Sequence, residues 1–442
     1  MATFRKPLVT PFELVDWVRD ARQRTIDLVA DLPDDKLMGP RIPLINPLLW
    51  EIGHMAWFQE KWVLRDVCGE APIRKDGDAL YDSSAVPHDT RWELPLPSRE
   101  DTLAYMRAVR DRVVEKLRQG TPSDLLLYHT VYSVFHEDMH TEAFTYTRQT
   151  LAYPAPRLLA AGEPASIPAA GGALSGDAEV PGGTLLLGAE RDEPFVFDNE
   201  KWAHPVEVEP FAMARAPVTQ AEFAAFVDEG GYRDQRFWSE EGWKWRHSAG
   251  ADHPVYWRRE PGGGWQRRDF DTWVPLEPHR PVIHVNWYEA EAYCRWAGRR
   301  LPTEAEWEAA AATEPAANGR SVSNRKRRFP WGDDPPAPTR VNMDWAAMGC
   351  IDVGALPGGD SAHGCRQMMG NVWEWTSTTF GPYPGFTPDP YKEYSEPWFG
   401  TRKVLRGGAW ATRSRMLRNT WRNYFTPDRR DVLAGFRTCR SV

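Results

Sequence analysis

Up to about residue 150 the apolar side chains recur with a helical period, and beyond residue 182 that period is gone. The 442 residues therefore read as two domains of different class joined by a linker. "TPFELVDWVRDARQRTIDLVADL" opens with Thr10 as cap, Pro11 at the first helical position and Glu13 three residues after the cap, which is a capping box. Phe12, Leu14, Val15, Val18, Ile26, Leu28 and Val29 then follow at helical spacing. A second helix is expected over 46–66 with Asn46 as cap, a third from Ser98 to Gly120, and a fourth over 123–151. With one longer connection, 67–97, a four-helix bundle over residues 1–152 is the economical packing.

Residues 153–182 are rich in Ala, Pro and Gly without periodicity and read as the linker. The remainder, 183–442, alternates short strand patterns with tight turns. Strands are expected in "GGTLLLGAE", "FVFDNE", "HPVEVEPFAMARAPVT", "PVIHVNW", "KVLRGGAW" and "AGFRTCR", and helices over 219–231 and 286–311. Most of the 22 Trp residues lie in this half, so large rings are expected to stand in for regular core layers.

A net charge of −8 excludes a general binder of nucleic acid or anionic membranes, whose footprint is basic. No run approaches 18 apolar residues and the first twenty residues hold no apolar core of a signal peptide. A cytoplasmic protein with no nucleic-acid, membrane or obligate protein partner is expected. The five cysteines are scattered and have no CxxC spacing, which argues against a disulfide framework and a thiolate metal site.

"VFHEDMHTEA" places His136 and His140 four residues apart on the fourth helix, about 6 Å along the axis, so both imidazoles reach one ion. The same stretch satisfies the His-Glu-x-x-His order of zinc proteases, with Glu137 in the place of the base. His54, in "WEIGHMAW" on the second helix, is the candidate third ligand. Three neutral imidazoles with open positions suit iron(II), zinc or copper, and ligand softness alone does not choose among them.

The bundle carrying His54, His136 and His140 resembles the DinB-like domain. "RLPTEAEWEAAA", "FPWGDD", "MMGNVWEWTS", "VLRGGAW" and "AGFRTCR" resemble the formylglycine-generating-enzyme domain, a C-type-lectin-like fold. Together they imply an α+β multidomain chain that is similar, over roughly residues 10–440, to the ergothioneine-pathway sulfoxide synthases. The resemblance implies a nonheme Fe(II) cofactor, O2 as co-substrate, and bond formation between a chalcogen donor and the imidazole of hercynine. Formylglycine generation itself needs a cysteine pair after the Arg-Gly-Gly strand, and "RGGAWATRSRMLRNTWRNYF" has none.

The resemblance also implies roles for single residues. Tyr383, in "FGPYPGFTPDPYKEYSE", matches the proton donor best, with Tyr391 and Tyr394 as competitors. Asn423 and Tyr424 match the pair that holds the carboxylate and trimethylammonium of hercynine. At the donor subsite Arg91 is kept, but His88 stands where an arginine is expected, Phe425 replaces an acidic residue, and Met139 replaces a common Gln. These departures leave the charges of γ-glutamylcysteine unpaired, so a smaller or neutral donor is expected: cysteine, or the selenosugar of the selenoneine synthase branch. A zinc-dependent thiol S-transferase of the DinB type and a noncatalytic ligand-binding module are the readings from other classes. Trp373, Trp375 and Arg406–Gly407–Gly408 read as core and turn residues, "RKRRF" as a solvated loop, and Asn371 with Glu374 as a candidate second ion site.

Overall fold

The computed structural model describes residues 9–159, 167–323 and 325–442, and the chain forms two compact units, 1–163 and 164–442. The middle of the expected linker, residues 160–166, lies outside the described residues.

In the first unit the helices are α1 (Pro11–Ala30), α2 (Asp34–Met38), α3 (Leu48–Gln59), α4 (Gly77–Tyr81), α5 (Arg99–Arg118) and α6 (Asp124–Thr150). Four of them are long, as the periodicity predicts. The capping box of Thr10 and Glu13 is formed, and Ser98 and Ser123 accept from the backbone N–H groups of Asp101 and Leu126. The second helix departs from expectation at both ends. Asn46 does not cap it, because its Oδ1 accepts from Arg91 Nη1 at 2.6 Å, a charge-assisted bond that outcompetes a cap. Its last turns, Glu60–Arg65, widen into a π-helix. Helices α3 and α6 run antiparallel, so Glu51 meets His140 at one end and Gln59 meets Ser133 at the other.

The second unit begins inside the expected linker. Gly171 and Gly172 donate backbone N–H groups to Asp352, and Asp177–Val180 forms β1, paired with Phe211–Ala214. Its other strands are β2 (Gly183–Leu187), β3 (His204–Val208), β4 (Phe211–Ala214), β5 (Trp257–Arg259), β6 (Trp265–Asp269), β7 (Thr272–Pro275), β8 (Trp373–Thr379), β9 (Lys403–Arg406), β10 (Asn423–Phe425), β11 (Ala434–Gly435) and β12 (Cys439–Ser441). They build four small sheets, ordered β1-β4-β12, β10-β9-β8-β11, β2-β3 and β5-β6-β7. The helices are α7 (Gln220–Asp228), α8 (Glu240–Ser248), α9 (Trp287–Trp296) and α10 (Glu304–Ala312).

Two expected strands are absent. In "FVFDNE" the Glu200 carboxylate accepts from Phe197 N and closes a 3₁₀ turn, and in "PVIHVNW" His284 sits at φ +61°. The single helix expected over 286–311 is two helices, interrupted by Gly298 at φ +65° and by Pro302.

The core of this unit is aromatic, as the composition predicts: Trp307, Trp345, Trp373 and Trp375 are fully buried. Around them lies a buried ionic lattice in which Arg406 binds Glu304 and Glu308, Arg422 binds Glu304, and Arg437 binds Glu374. "RKRRF" is a correction to expectation. The Lys326 side chain is covered and donates to Glu308 at 2.5 Å, so this one residue of the run joins the lattice while Arg325 stays exposed. Asn371 and Glu374 are a second correction. Asn371 binds the backbone of Ile351, and Glu374 accepts from Trp307 and Arg437, which satisfies both internally.

Candidate metal centre

His54 on α3 and His136 and His140 on α6 place one ligand nitrogen each within 4.8 Å of one another, the only such cluster among the described residues. Each ring is held by its surroundings. His54 donates Nδ1–H to the carbonyl of Tyr81 at 2.8 Å, which leaves Nε2 for an ion. His140 donates Nδ1–H to Glu51 Oε1 at 2.6 Å with the same result. His136 stacks on Phe58 with centroids 3.7 Å apart, and His54 stacks on Trp50 at 4.9 Å. Burial, reinforced by the neighbouring imidazoles, holds His54 and His136 well below the usual imidazole range, so both are neutral, as metal ligation requires. The donor set, the turned-out Nδ1 atoms and the burial all fit a divalent transition metal.

Two neighbours of His54 explain how α3 presents it. A Cβ on Gly53 would stand 2.3 Å from the Tyr81 ring, so glycine there lets Tyr81 close on the helix and bring its carbonyl to His54. Trp50 is fully buried, donates Nε1–H to Leu80 O at 2.7 Å, and carries the Arg91 guanidinium on its ring at 3.9 Å.

Glu137, the base of the protease reading, is turned away from this ring of histidines. Its carboxylate accepts from Arg22 Nε at 2.9 Å, from Arg22 Nη2 at 3.1 Å and from Thr25 Oγ1 at 2.8 Å, deep in the bundle. With its charge paired to Arg22 and three of its roughly four acceptor sites engaged, this carboxylate is committed to the bundle interior, and the motif's order is coincidental.

The residues expected at a donor subsite have partners of their own. Arg91 is engaged by Asn46, by the carbonyl of Val86 at 3.2 Å and by the Trp50 face. His88 donates Nε2–H to Ile45 O at 2.7 Å and packs edge-on against Trp92. Met139 is half-buried on α6 beside His140. In the second unit, Asn423, Tyr424 and Phe425 form edge strand β10, so Tyr424 points to one face while Asn423 and Phe425 share the other. Tyr424 stacks on Phe380 at 3.9 Å and donates its hydroxyl to the carbonyl of Tyr394, while the Arg429 guanidinium lies 5.1 Å from the Phe425 ring.

Tyr383 lies in the hydrophobic core of the second unit, with Arg422 4.1 Å from its ring and His204 edge-on at 4.6 Å. Burial pushes its phenol far up, and its hydroxyl has no hydrogen-bond partner among the described residues. Neither unit taken by itself brings Tyr383 or β10 to the histidines. Glu51 is the residue that sequence reasoning missed. Its signal was its place three residues before His54, on the same helical face.

Comparison with known proteins agrees with this division. Residues 168–442 match the Sulfatase-modifying factor enzyme 1-like domain and residues 18–147 match the DinB superfamily. A hercynine oxygenase of Mycolicibacterium thermoresistibile is 40% identical over 438 residues, covering 97% of this chain and 95% of the relative. A hercynine oxygenase of Mycolicibacterium smegmatis is 39% identical over 438 residues, 97% of this chain and 99% of the relative. A formylglycine-generating enzyme of Streptomyces coelicolor is 33% identical over 311 residues, 65% of this chain and 95% of the relative.

Proposed function

The chain belongs to the hercynine oxygenase family, and from that premise we propose that it is an Fe(II)- and O2-dependent synthase that joins a chalcogen donor to the imidazole C2 of hercynine. The observation that carries the reading is the trio of His54, His136 and His140, two buried and one partly exposed, in a chain whose relatives are oxygenases. Zinc has no redox chemistry, so oxygen use at this trio calls for a redox-active ion. His54, His136 and His140 would hold iron(II), which would supply redox chemistry toward dioxygen and open positions for ligands. The protein's share is to fix the three imidazole ligands and to orient hercynine's imidazole toward the donor, which removes much of the entropic barrier.

In this proposal Tyr383 is the proton donor, a role supported by a buried hydroxyl with no hydrogen-bond partner among the described residues. Asn423 and Tyr424 hold hercynine. Because their side chains leave β10 on opposite faces, the reading assigns the carboxylate to Asn423 and the trimethylammonium to the Tyr424 ring.

For the donor the proposal is a selenosugar, with selenoneine as the product. Arg91 and His88 direct their donors to Asn46 and to backbone carbonyls, and Phe425 offers an apolar ring where a carboxylate partner would be needed. Leaving the charges of γ-glutamylcysteine unpaired costs about 1–3 kcal/mol per group. A sugar ring instead gains from an aromatic face such as Phe425. The test is competition among a selenosugar, cysteine and γ-glutamylcysteine for hercynine, with products identified by mass. Selenoneine as the preferred product supports the assignment. Ergothioneine sulfoxide from γ-glutamylcysteine alone refutes the donor reading, and thiol transfer with zinc and without O2 refutes the reaction class.

A further inference from the structure

The metal reading assigns three ligands and does not account for a buried carboxylate bonded to one of them. Glu51 lies on α3 three residues before His54 and is 2% exposed. Among the described residues its carboxylate is in no ion pair with a lysine or arginine; its charged-group partner is the Nδ1–H of His140, at 2.6 Å. The contrast with Glu137 is direct: that buried carboxylate is neutralised by Arg22 and bonded by Thr25. The contrast with His54 is as informative, since its Nδ1–H meets only a neutral backbone carbonyl. A carboxylate held away from water without a cation is costly, and such groups are retained where a cation is supplied.

We propose that Glu51 is a positioning residue for the metal centre, fixing the His140 ring with Nε2 turned to the ion and supplying one compensating negative charge. The proposal rests on the three-histidine reading and deepens it. Three neutral imidazoles, one dication and the Glu51 carboxylate leave a single positive charge, which one monoanionic chalcogen donor, a thiolate or selenolate, neutralises. A dianionic donor group at the ion is disfavoured by the same count. Glu51 touches neither substrate nor ion, so its influence passes through His140.

The test uses the full chain with Co(II) as the probe, in competition with a chelator, on wild type, Glu51→Gln and Glu51→Asp. Glu51→Gln keeps an acceptor for His140 and removes the charge. It is expected to bind Co(II) about 10- to 100-fold more weakly, with displaced visible Co(II) absorption bands. The metal-free variant is expected to melt no lower than metal-free wild type, because an uncompensated buried charge is gone, while the metal-loaded variant melts below loaded wild type. Glu51→Asp, which retains the charge, is expected to recover part of the affinity. A merely structural role predicts lower melting in both states with affinity and spectrum unchanged, and that result overturns the proposal, as does a Glu51→Gln chain that fails to fold. Wild type that binds no Co(II) overturns the three-histidine reading itself, a distinguishable failure.

Discussion

Replacing Glu137 by leucine separates a protease-like motif from a bundle-locking ion pair. Arg22 is fully buried and Glu137 is 1% exposed, joined by two Arg–carboxylate bonds, with Thr25 donating a third. Removing one partner of a buried pair leaves the other charge uncompensated and typically costs about 3–5 kcal/mol. Arg22 would keep its bonds to Met106 O and Gln59 Oε1, which places the expected loss toward the lower end, about 3 kcal/mol. At about 2–4 °C per kcal/mol for a chain segment of this size, the helical unit is expected to melt about 6–12 °C lower. The double replacement Arg22→Met with Glu137→Leu is expected to lose less than Glu137→Leu alone, since no charge is stranded. Urea or thermal unfolding of the full chain measures both, and Co(II) affinity is measured beside them. Glu137→Gln that keeps wild-type stability and metal affinity yet abolishes turnover would refute this reasoning and restore Glu137 as a base.

Three other perturbations test different parts of the structure. Gly53→Ala drives a methyl into the Tyr81 ring and so displaces the carbonyl that holds His54; weaker metal binding with α3 helicity intact is expected by chelator competition and circular dichroism. Tyr383→Phe removes a hydroxyl with no protein partner, so unfolding free energy is expected to change by less than about 1 kcal/mol, while the product distribution changes if the hydroxyl delivers a proton. Asp198, buried beside Ser395 and Asp389, has its carboxyl raised from 3.8 to about 6, chiefly by burial. The folded state therefore binds more protons than the unfolded state between these values, and stability falls as pH rises from about 4 to about 6 and then levels. Asp198→Asn is expected to remove up to about 3 kcal/mol of that fall, read from urea midpoints across pH.

The helical unit was readable because its signals are local. Thr10, Ser98 and Ser123 cap helices by accepting from backbone N–H groups three residues on, and His136 and His140 share a face by period alone. The cap at Asn46 failed because a distant residue, Arg91, competes for the same oxygen. The second unit was less legible for the same physical reason. Its strands are two to seven residues long and its core is bound by long-range ion pairs such as Arg418 with Glu200, which no sequence window contains. Lys326 reads as solvated from the charge of its neighbours because its partner Glu308 is 18 residues away on α10. The sheet β5-β6-β7 escaped notice because "YWRREPGGGWQRRDFDTWV" is charged on both faces and lacks clean alternation. Glu51 was legible in spacing but not in role, because its partner lies on another helix, 89 residues away.

The central claim is that the histidine trio does oxygen chemistry with hercynine, and oxygen uptake tests it most directly. Protein freed of metal is reloaded separately with Fe(II) and with Zn(II), then given hercynine and a selenosugar in an oxygen electrode. The account predicts O2 consumption, with a hercynine–selenium bond in the product, from the Fe(II) protein alone, and loss of both in His136→Ala. Product formed equally by the Zn(II) protein, or no O2 uptake by the Fe(II) protein with any thiol or selenol donor, would contradict it.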